Sequence, residues 1–420
     1  MRHSEPSIIE HRLWAGDTPQ TRGWCPSALR PMQSGDGWLV RISPPHGELR
    51  PAQAAGLAAA ARRFGNGQLE LSNRANLQLR GVRLDDHGAL LDDLARLGLM
   101  TPAEARGDVQ LPVVLTPFHD GNDGMAALAA DLAAAGRLMP ELPSKFGLAV
   151  DAGPQRVLAA VPADIRIERK VDGGLMIRAD GASAGRSAAP AGMPALAAAI
   201  ARWFVDSGGV TAGRGRMAAH LAAGHRLPAE LTGDARPTPA TALPQPGPCP
   251  DRLPGGLLVG LPFGALAADG LERLADTGAT LRLTPWRMLL LQGVERPPAG
   301  SDLIMDPTDP LLRVAACIGA PGCVQAQGPT RPLARALARQ LPEGARLHVA
   351  GCSKGCAHPG PADITLVASQ DGYGVVPRGR AGDPPARLLP RPATGAGCDP
   401  DPAYAATLAS LRDLPHEDDP

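Results

Sequence analysis

Lysine is almost missing from this chain. Lys145, Lys170 and Lys354 are the only three in 420 residues, so arginine carries nearly all the positive charge, a bias usual in GC-rich coding sequence. Aromatics are scarce too, at 5 Phe, 5 Trp and 2 Tyr, which leaves Ala, Leu and Val to do most of the packing. Neither sign of charge is in excess: 42 Lys+Arg against 42 Asp+Glu give a formal net charge of zero. That balance excludes a bulk electrostatic partner such as nucleic acid or a membrane surface, while leaving room for a local basic pocket. No stretch approaches the roughly 18 uncharged apolar residues of a membrane helix. The opening MRHSEPSIIEHRLWAGD has no apolar core of a secretory signal. The expected location is the cytoplasm.

At this length two to three domains are expected, and 44 % hydrophobic residues suffice for sizeable cores. Residues 1–25 read as an irregular leader. From Gly35 the pattern is strand (Trp38 to Ile42), then a helix from Pro51 to a capping Gly65. Two alternating strands follow, through Leu69-Glu70-Leu71 and Leu77-Gln78-Leu79. Residues 255–294 echo 35–82: Leu69 falls on Leu281, Leu71 on Leu283, Leu77 on Leu289 and Leu79 on Leu291. The order of elements and the polar turns (Ser72-Asn73, Thr284-Pro285) agree as well, which predicts a duplication. The expected layout is a first half-domain over 26–100, an α/β segment over 101–233, a Pro-rich linker over 234–254 and a second half-domain over 255–300. A further α/β segment over 301–380 and a disordered or loosely packed tail over 381–420 complete it.

Seven cysteines, an odd number with no signal sequence, are poor material for a disulfide framework. Cys25, Cys249 and Cys398 stand apart. The other four form Cys317-x5-Cys323, then 28 residues, then Cys352-x3-Cys356. Each pair lies in a Gly-rich loop, CIGAPGC or GCSKGC, as needed when backbone must wrap closely round a bulky centre. Structural zinc ligands usually come in tighter pairs. Four thiolates on loops of small residues suit a [4Fe-4S] cluster better, with zinc the competing reading. A strand over Leu347–Ala350 should end at the second pair, and a helix from Arg331 should follow the first.

The cysteine spacing, the duplicated half-domain and the turn SNRANLQLRG together resemble the nitrite/sulfite reductase superfamily. The resemblance implies an α+β fold: duplicated ferredoxin-like half-domains plus mixed-sheet α/β segments. It makes Arg74, within Ser72-Asn73-Arg74-Ala75-Asn76, an anion-binding arginine, and Lys145, within Leu142-Pro143-Ser144-Lys145-Phe146, a second cationic ligand. Cys317, Cys323, Cys352 and Cys356 become the cluster ligands, with Cys356 nearest the tetrapyrrole. Arg80, Arg282 and Arg287 are further candidates for carboxylate contacts, since the guanidinium fork binds carboxylates bidentately.

Two departures are instructive. The reductases carry another lysine where this chain has Gly147. They also carry an Arg-Asn pair just after a Gly-Asp; here Gly107-Asp108-Val109-Gln110 runs into Leu111-Pro112. Reduction of sulfite or nitrite builds highly charged intermediates, so these cations are hard to spare. The precorrin-3B synthase branch of the superfamily tolerates such losses, and the chain is similar to it in ACIGAPGC, GCSKGCAHPGPADITLV and TPWR.

For that branch the resemblance implies a monooxygenase with one [4Fe-4S] cluster and a mononuclear non-haem iron. It would hydroxylate precorrin-3A at C20 with O2 and close a ring-A acetate as a γ-lactone, in cobalamin biosynthesis. The implied partners are that tetrapyrrole, O2 and an external electron donor of NADH-linked reductase or ferredoxin/flavodoxin type. His46, His119, His348 and His358 are the histidines in suggestive places, with no motif among them for an iron ligand set. The alternatives are a siroheme-dependent sulfite or nitrite reductase and a non-catalytic Fe–S electron carrier.

Overall fold

Proline at the first turn starts the first helix where its missing N–H costs nothing, and the Gln53 side chain accepts the Arg50 N–H at 2.9 Å. This helix, α1 (Pro51–Phe64), follows strands β1 (Gly37–Ile42) and β2 (Glu48–Leu49). After it come β3 (Gln68–Leu71), β4 (Leu77–Val82) and helix α2 (His87–Arg96). The computed structural model describes residues 25–100, 111–241, 250–253, 255–391 and 402–409. The leader up to residue 24, the Gly107–Gln110 stretch and much of the linker lie outside the described residues, as do Cys249 and Cys398. The chain divides into two units, one of 25–32 with Trp38–Leu303, the other of Gln33–Gly37 with the chain from Ile304.

The middle of the larger unit is a mixed sheet of β5 (Val113–Leu115), β6 (Leu148–Asp151), β7 (Ile165–Arg169), β8 (Leu175–Ala179) and β9 (Arg186–Ser187). Its order is β9-β8-β7-β6-β5, with the β5–β7 strands parallel. Helices α3 (Met125–Ala134), α4 (Met193–Asp206) and α5 (Met217–Ala222) contribute Leu128, Leu132, Ile200, Phe204 and Met217 to one core with Phe146, Leu148 and Ile165.

At the end of β6 the buried Asp151 accepts the N–H groups of Val157 at 3.2 Å and Leu158 at 2.6 Å. Burial pushes its carboxyl up to about 6, against those two amides. A carboxyl with a raised folded pKa contributes stability that is fully present below about pH 4 and lost as pH rises to about 6. For a shift of this size the loss is on the order of 3 kcal/mol. Asp151→Asn is expected to remove that slope. Urea unfolding across this window should therefore move in the variant's favour as pH rises, and a pH-independent difference between the two proteins would contradict it.

The second copy holds β10 (Asp251–Leu253), β11 (Gly256–Gly260), β12 (Ala265–Ala267), α6 (Ala268–Asp276), β13 (Thr280–Leu283) and β14 (Met288–Gln292). The aligned leucines occupy the same register: Leu69 faces Leu79 and Leu71 faces Leu77, while Leu281 faces Leu291 and Leu283 faces Leu289. The duplication extends to the rare left-handed backbone. His46 (φ 59°) and Phe263 (φ 57°) centre matching Pro-x-Gly turns, and Ala75 (φ 53°) matches Arg287 (φ 61°).

The copies also exchange strands. Short β2 of the first copy pairs with β13 of the second (Leu49 with Leu281), and β12 of the second pairs with β3 of the first (Leu266 with Leu69). Each exchange covers a sheet edge that would otherwise be open. It also buries Leu49 and Leu266, worth about 2 kcal/mol apiece. Helices α1 and α6 pack together, with Arg62 bonded to Asp269 and Glu272 across the joint.

In the other unit, β15 (Val314–Ala316), β16 (Leu347–Ala350) and β17 (Ala362–Ala368) are parallel, and β18 (Gly372–Gly379) and β19 (Arg387–Pro390) continue the sheet antiparallel. Helix α7 (Arg331–Ala338) lies between β15 and β16 in sequence. Two elements stand in the stretch from 381 where composition predicts disorder: β19 and helix α8 (Pro402–Ala409). A few apolar anchors hold them, Leu389, Tyr404 and Leu408, all buried, and the Tyr404 hydroxyl donates to the Pro390 carbonyl at 2.7 Å. Average composition hides such isolated anchors. Residues 392–401 and 410–420 lie outside the described residues. The molecule is thus α+β, with four sheets among its described residues.

Candidate iron–sulfur centre and anion site

Parallel pairing sets the cysteine loops side by side. Strands β15 and β16 run in register (Val314 with Leu347, Ala316 with Val349), so Cys317 and Cys352 both leave the carboxyl ends of adjacent strands. That is where open α/β sheets usually place their ligands. The Gly351 N–H donates to Cys317 Sγ at 3.2 Å. A Cβ on Gly351 would sit 2.7 Å from Ala326 Cβ and 3.4 Å from that sulfur, so only glycine lets the two loops approach. Within the first loop the Cys323 N–H donates to the Gly319 carbonyl at 2.8 Å, and the Thr330 hydroxyl donates to the Cys317 carbonyl. Residues of the 33–37 segment cover this loop: the Ser34 hydroxyl donates to the Gly322 carbonyl at 2.6 Å, and a Cβ on Gly35 would fall 2.2 Å from the Pro321 oxygen.

The four sulfurs share one electrostatic environment. Burial pushes the Cys352 thiol up, and the charges of Cys323 and Cys317 add to that, opposed by the Lys354 amide and ammonium. Cys356 is exposed as a residue, yet the protein around its sulfur pushes the thiol up to about 11, with Cys352, Cys317 and Cys323 adding and Lys354 opposing. With their pKa values raised these two thiols keep their protons, and only a bound cationic centre would hold them as thiolates. Among the described residues no three His, Cys, Asp or Glu side chains, these four cysteines included, stand close enough together to hold a metal ion. The donor set, all sulfur with inward-facing amide groups, fits a multi-iron cluster held by Cys317, Cys323, Cys352 and Cys356 better than zinc. The same test finds no ligand set for a mononuclear iron among the described residues. His348 and His358 meet edge to face at 5.8 Å beneath the second loop, His119 lies 3.4 Å from Glu48, and His46 is exposed on its turn.

In the larger unit, the Ser72–Asn76 turn presents Arg74. The Ser72 hydroxyl accepts the N–H groups of Arg74 at 3.3 Å and Asn76 at 3.2 Å, and Ala75 takes the left-handed corner. Arg74 Nη2 donates to the Lys145 carbonyl at 2.8 Å, so the two expected residues do meet, through the backbone of the lysine; its side chain is exposed. Arg216 reaches the same carbonyl at 3.1 Å, bonds the Ala163 carbonyl at 2.9 Å and pairs with Asp164 at 3.1 Å. Burial, then the charges of Arg216 and Arg41, lower the Arg74 pKa, while Cys25 and Asp164 oppose. Burial likewise lowers that of Arg41, opposed by the nearby Cys25.

Three guanidiniums thus gather where the Asp164 carboxylate opposes them, and its oxygens are taken by the N–H groups of Gly147 and Met217 as well as by Arg216. Such a surplus of half-buried positive charge is suited to an anionic ligand. Arg41, Arg216 and Cys25 escaped the sequence reading. Arg41 lies mid-strand, where alternation says nothing of chemistry, and Arg216 sits in an ordinary Gly/Arg loop.

Gly147 stands where the resemblance expects a second lysine. A Cβ there would lie 3.1 Å from the Pro112 carbonyl and 3.6 Å from Arg74 Nη1, so Arg74 and Pro112 flank the place of the second lysine. Two further arginine candidates prove structural: buried Arg80 pairs with Glu70 at 3.3 Å, and buried Arg282 pairs with Glu48 at 2.8 Å. No helix among the described residues is long and apolar enough to cross a membrane.

The chain is similar to proteins of one superfamily. The family model described as the nitrite/sulfite reductase ferredoxin-like half domain matches residues 30–97. The precorrin-3B synthase of a Sinorhizobium species is 32% identical over 391 residues, covering 86% of this chain and 83% of its own length. The ferredoxin–nitrite reductase of Synechococcus elongatus is 27% identical, across 94% of this chain and 88% of its own. Among solved structures, the NirA protein of Mycobacterium tuberculosis has a TM-score of 0.58 at 18% identity, covering 80% of this chain and 74% of that one, a likeness of fold. With a relative that close over most of both lengths, the chain belongs to the precorrin-3B synthase family, oxidoreductase enzymes within the nitrite/sulfite reductase superfamily.

Proposed function

We propose that the chain is a monooxygenase that hydroxylates precorrin-3A at C20, with closure of the ring-A acetate as a γ-lactone. One oxygen atom of O2 enters the product and the other leaves as water, with two electrons and two protons drawn from an external donor. A [4Fe-4S] cluster, when bound by Cys317, Cys323, Cys352 and Cys356, supplies one-electron transfer from that donor. The protein's own part is substrate binding: Arg74, with Arg41 and Arg216 behind it and Lys145 exposed beside it, offers guanidinium forks to the carboxylates of a tetrapyrrole. The observation that carries this reading over a siroheme reductase is Gly147, flanked by Arg74 and Pro112 where a reductase needs a lysine.

The test is anaerobic purification followed by a single assay. A broad brown absorbance that bleaches on reduction, with conversion of precorrin-3A to a product one oxygen atom heavier and carrying label from isotopic O2, is the expected result. Sharp haem-type bands that survive desalting, with sulfite or nitrite consumed, would instead establish the reductase.

A further inference from the structure

We propose that His220 is a positioning residue of the anion site: while neutral it clamps helix α5 and so holds Arg216 in the arginine cluster, and acid releases the clamp. The inference rests on the anionic-ligand reading above. Helix α5 is only Met217–Ala222, too short to persist on its own hydrogen bonds. Tertiary contacts fasten it at both ends. At its start the Met217 N–H donates to Asp164 at 2.9 Å, while Arg216 bonds the Lys145 carbonyl at 3.1 Å and that of Ala163 at 2.9 Å. One turn on, the His220 N–H donates to the Arg216 carbonyl at 3.0 Å, so the two residues share a single stretch of backbone.

His220 makes the second fastening. Its side chain is buried, and Nε2 is hydrogen-bonded to Ser207 Oγ at 2.8 Å, just past the end of α4. Its ring meets Trp203 at 5.4 Å and Phe204 edge-on at 5.4 Å, both on α4. The exposed His225, in the chain after α5, stacks on it at 3.8 Å and 12°. The elements around His220 thus bring it two aromatic rings, a hydroxyl and a second imidazole. The charged groups nearby are turned elsewhere: Asp206 and Arg226 are exposed, Arg216 pairs with Asp164, and Asp180, beside the Gly181 that packs on Ala218, pairs with Arg166 at 2.5 Å. Burial first, and then the charge of His225, push the His220 pKa below its ordinary value. The folded chain therefore prefers neutral His220, and stability is lost as pH falls from about 6.5 through the lower folded value. Two imidazolium rings stacked this closely repel, so acid opens the pair and α5 keeps only its first fastening. Release of α5 takes Arg216 from the carbonyl it shares with Arg74 and leaves Asp164 without it. The direction is diagnostic, because added positive charge in acid ordinarily strengthens anion binding, whereas this clamp weakens it.

Pyrene tetrasulfonate, whose charges do not titrate in this range, serves as the probe, with the full chain purified without oxygen and Tm measured at each pH. The parent is expected to stay folded and to bind about tenfold more weakly at about pH 5.5 than at about pH 7.5, the size of one charged hydrogen bond. His220→Gln keeps an amide for Ser207 but takes no proton, and should flatten that profile. His225→Gln, at an exposed position, should keep the neutral-pH Kd and move the acid loss to lower pH. Parent affinity that stays level or rises in acid overturns the inference, and so does an acid loss that persists in a folded His220→Gln. Should His220→Gln fall in Tm, His225→Gln decides: an acid midpoint that does not move overturns it. Arg74→Ala should weaken binding at every pH. A parent that does not bind the probe at neutral pH refutes the anion site, and the clamp with it.

Discussion

A Cys317→Ser protein purified without oxygen is expected to be colourless, with iron and sulfide falling from about four of each per chain to less than a tenth of that. Turnover of precorrin-3A should fall below detection. The reason lies in the loop geometry. Cys317 is the sulfur that receives the Gly351 N–H, and it stands at the mouth of two strands whose register brings both cysteine pairs together. A serine oxygen is a poorer ligand for iron and keeps its proton at neutral pH, so the remaining three thiolates would have to hold the cluster alone. Gly351→Ala should give a graded version, because its methyl group would press on Ala326 and on the Cys317 sulfur without removing a ligand. Cys25→Ser should keep its full iron, since Cys25 lies with Arg41 in the arginine cluster. Full iron in Cys317→Ser, or iron lost from Cys25→Ser, would mean that the ligand set is wrong.

How far the sequence could be read follows from the range of the forces involved. The cysteine loops were legible because their chemistry is local: thiol spacing, flanking glycines and the strand before each pair lie within a few residues. The duplication was legible as a period-two leucine pattern, and the same leucines pair in both sheets. The strand exchange was not, because β2 is only Glu48–Leu49 and two residues carry no periodicity. Nor was the arginine cluster. Arg41, Arg74 and Arg216 come from a strand, a turn and a loop far apart in sequence, and only the tertiary fold gathers them into one cluster. Lys145 was named for its motif, and what reaches Arg74 is its carbonyl, a contact that no residue-type argument could foresee. In the tail the opposite holds: composition averages over 40 residues, while a few buried side chains decide whether a strand and a helix dock.

Arg282→Met is expected to destabilise the larger unit by about 3 kcal/mol, near the lower end of what breaking a buried ion pair costs. The guanidinium joins three separate segments. Its Nε donates to Glu48 on exchanged strand β2 at 2.8 Å, and its Nη1 donates to the carbonyls of Pro117 at 2.9 Å and His119 at 2.6 Å, in the loop after β5. Methionine fills similar volume but leaves those two carbonyls without this donor and removes the guanidinium from Glu48, which keeps His119 at 3.4 Å. Glu48 is held below the usual carboxylate range by His119 first and then by Arg282, against burial. Its contribution is therefore present above the unfolded pKa and lost as pH falls through the folded one. Acid should consequently narrow the gap between parent and Arg282→Met, as Glu48 becomes neutral in both. The counterpart position in the first copy is Glu70, paired with Arg80 inside a single sheet, so Glu70→Gln should cost less, on the order of 1 kcal/mol. Urea unfolding of the two variants at neutral and mildly acidic pH measures both differences. If Arg282→Met costs no more than Glu70→Gln, the exchanged strand is held by its leucine and its ladder alone, and the ion pair is incidental to it.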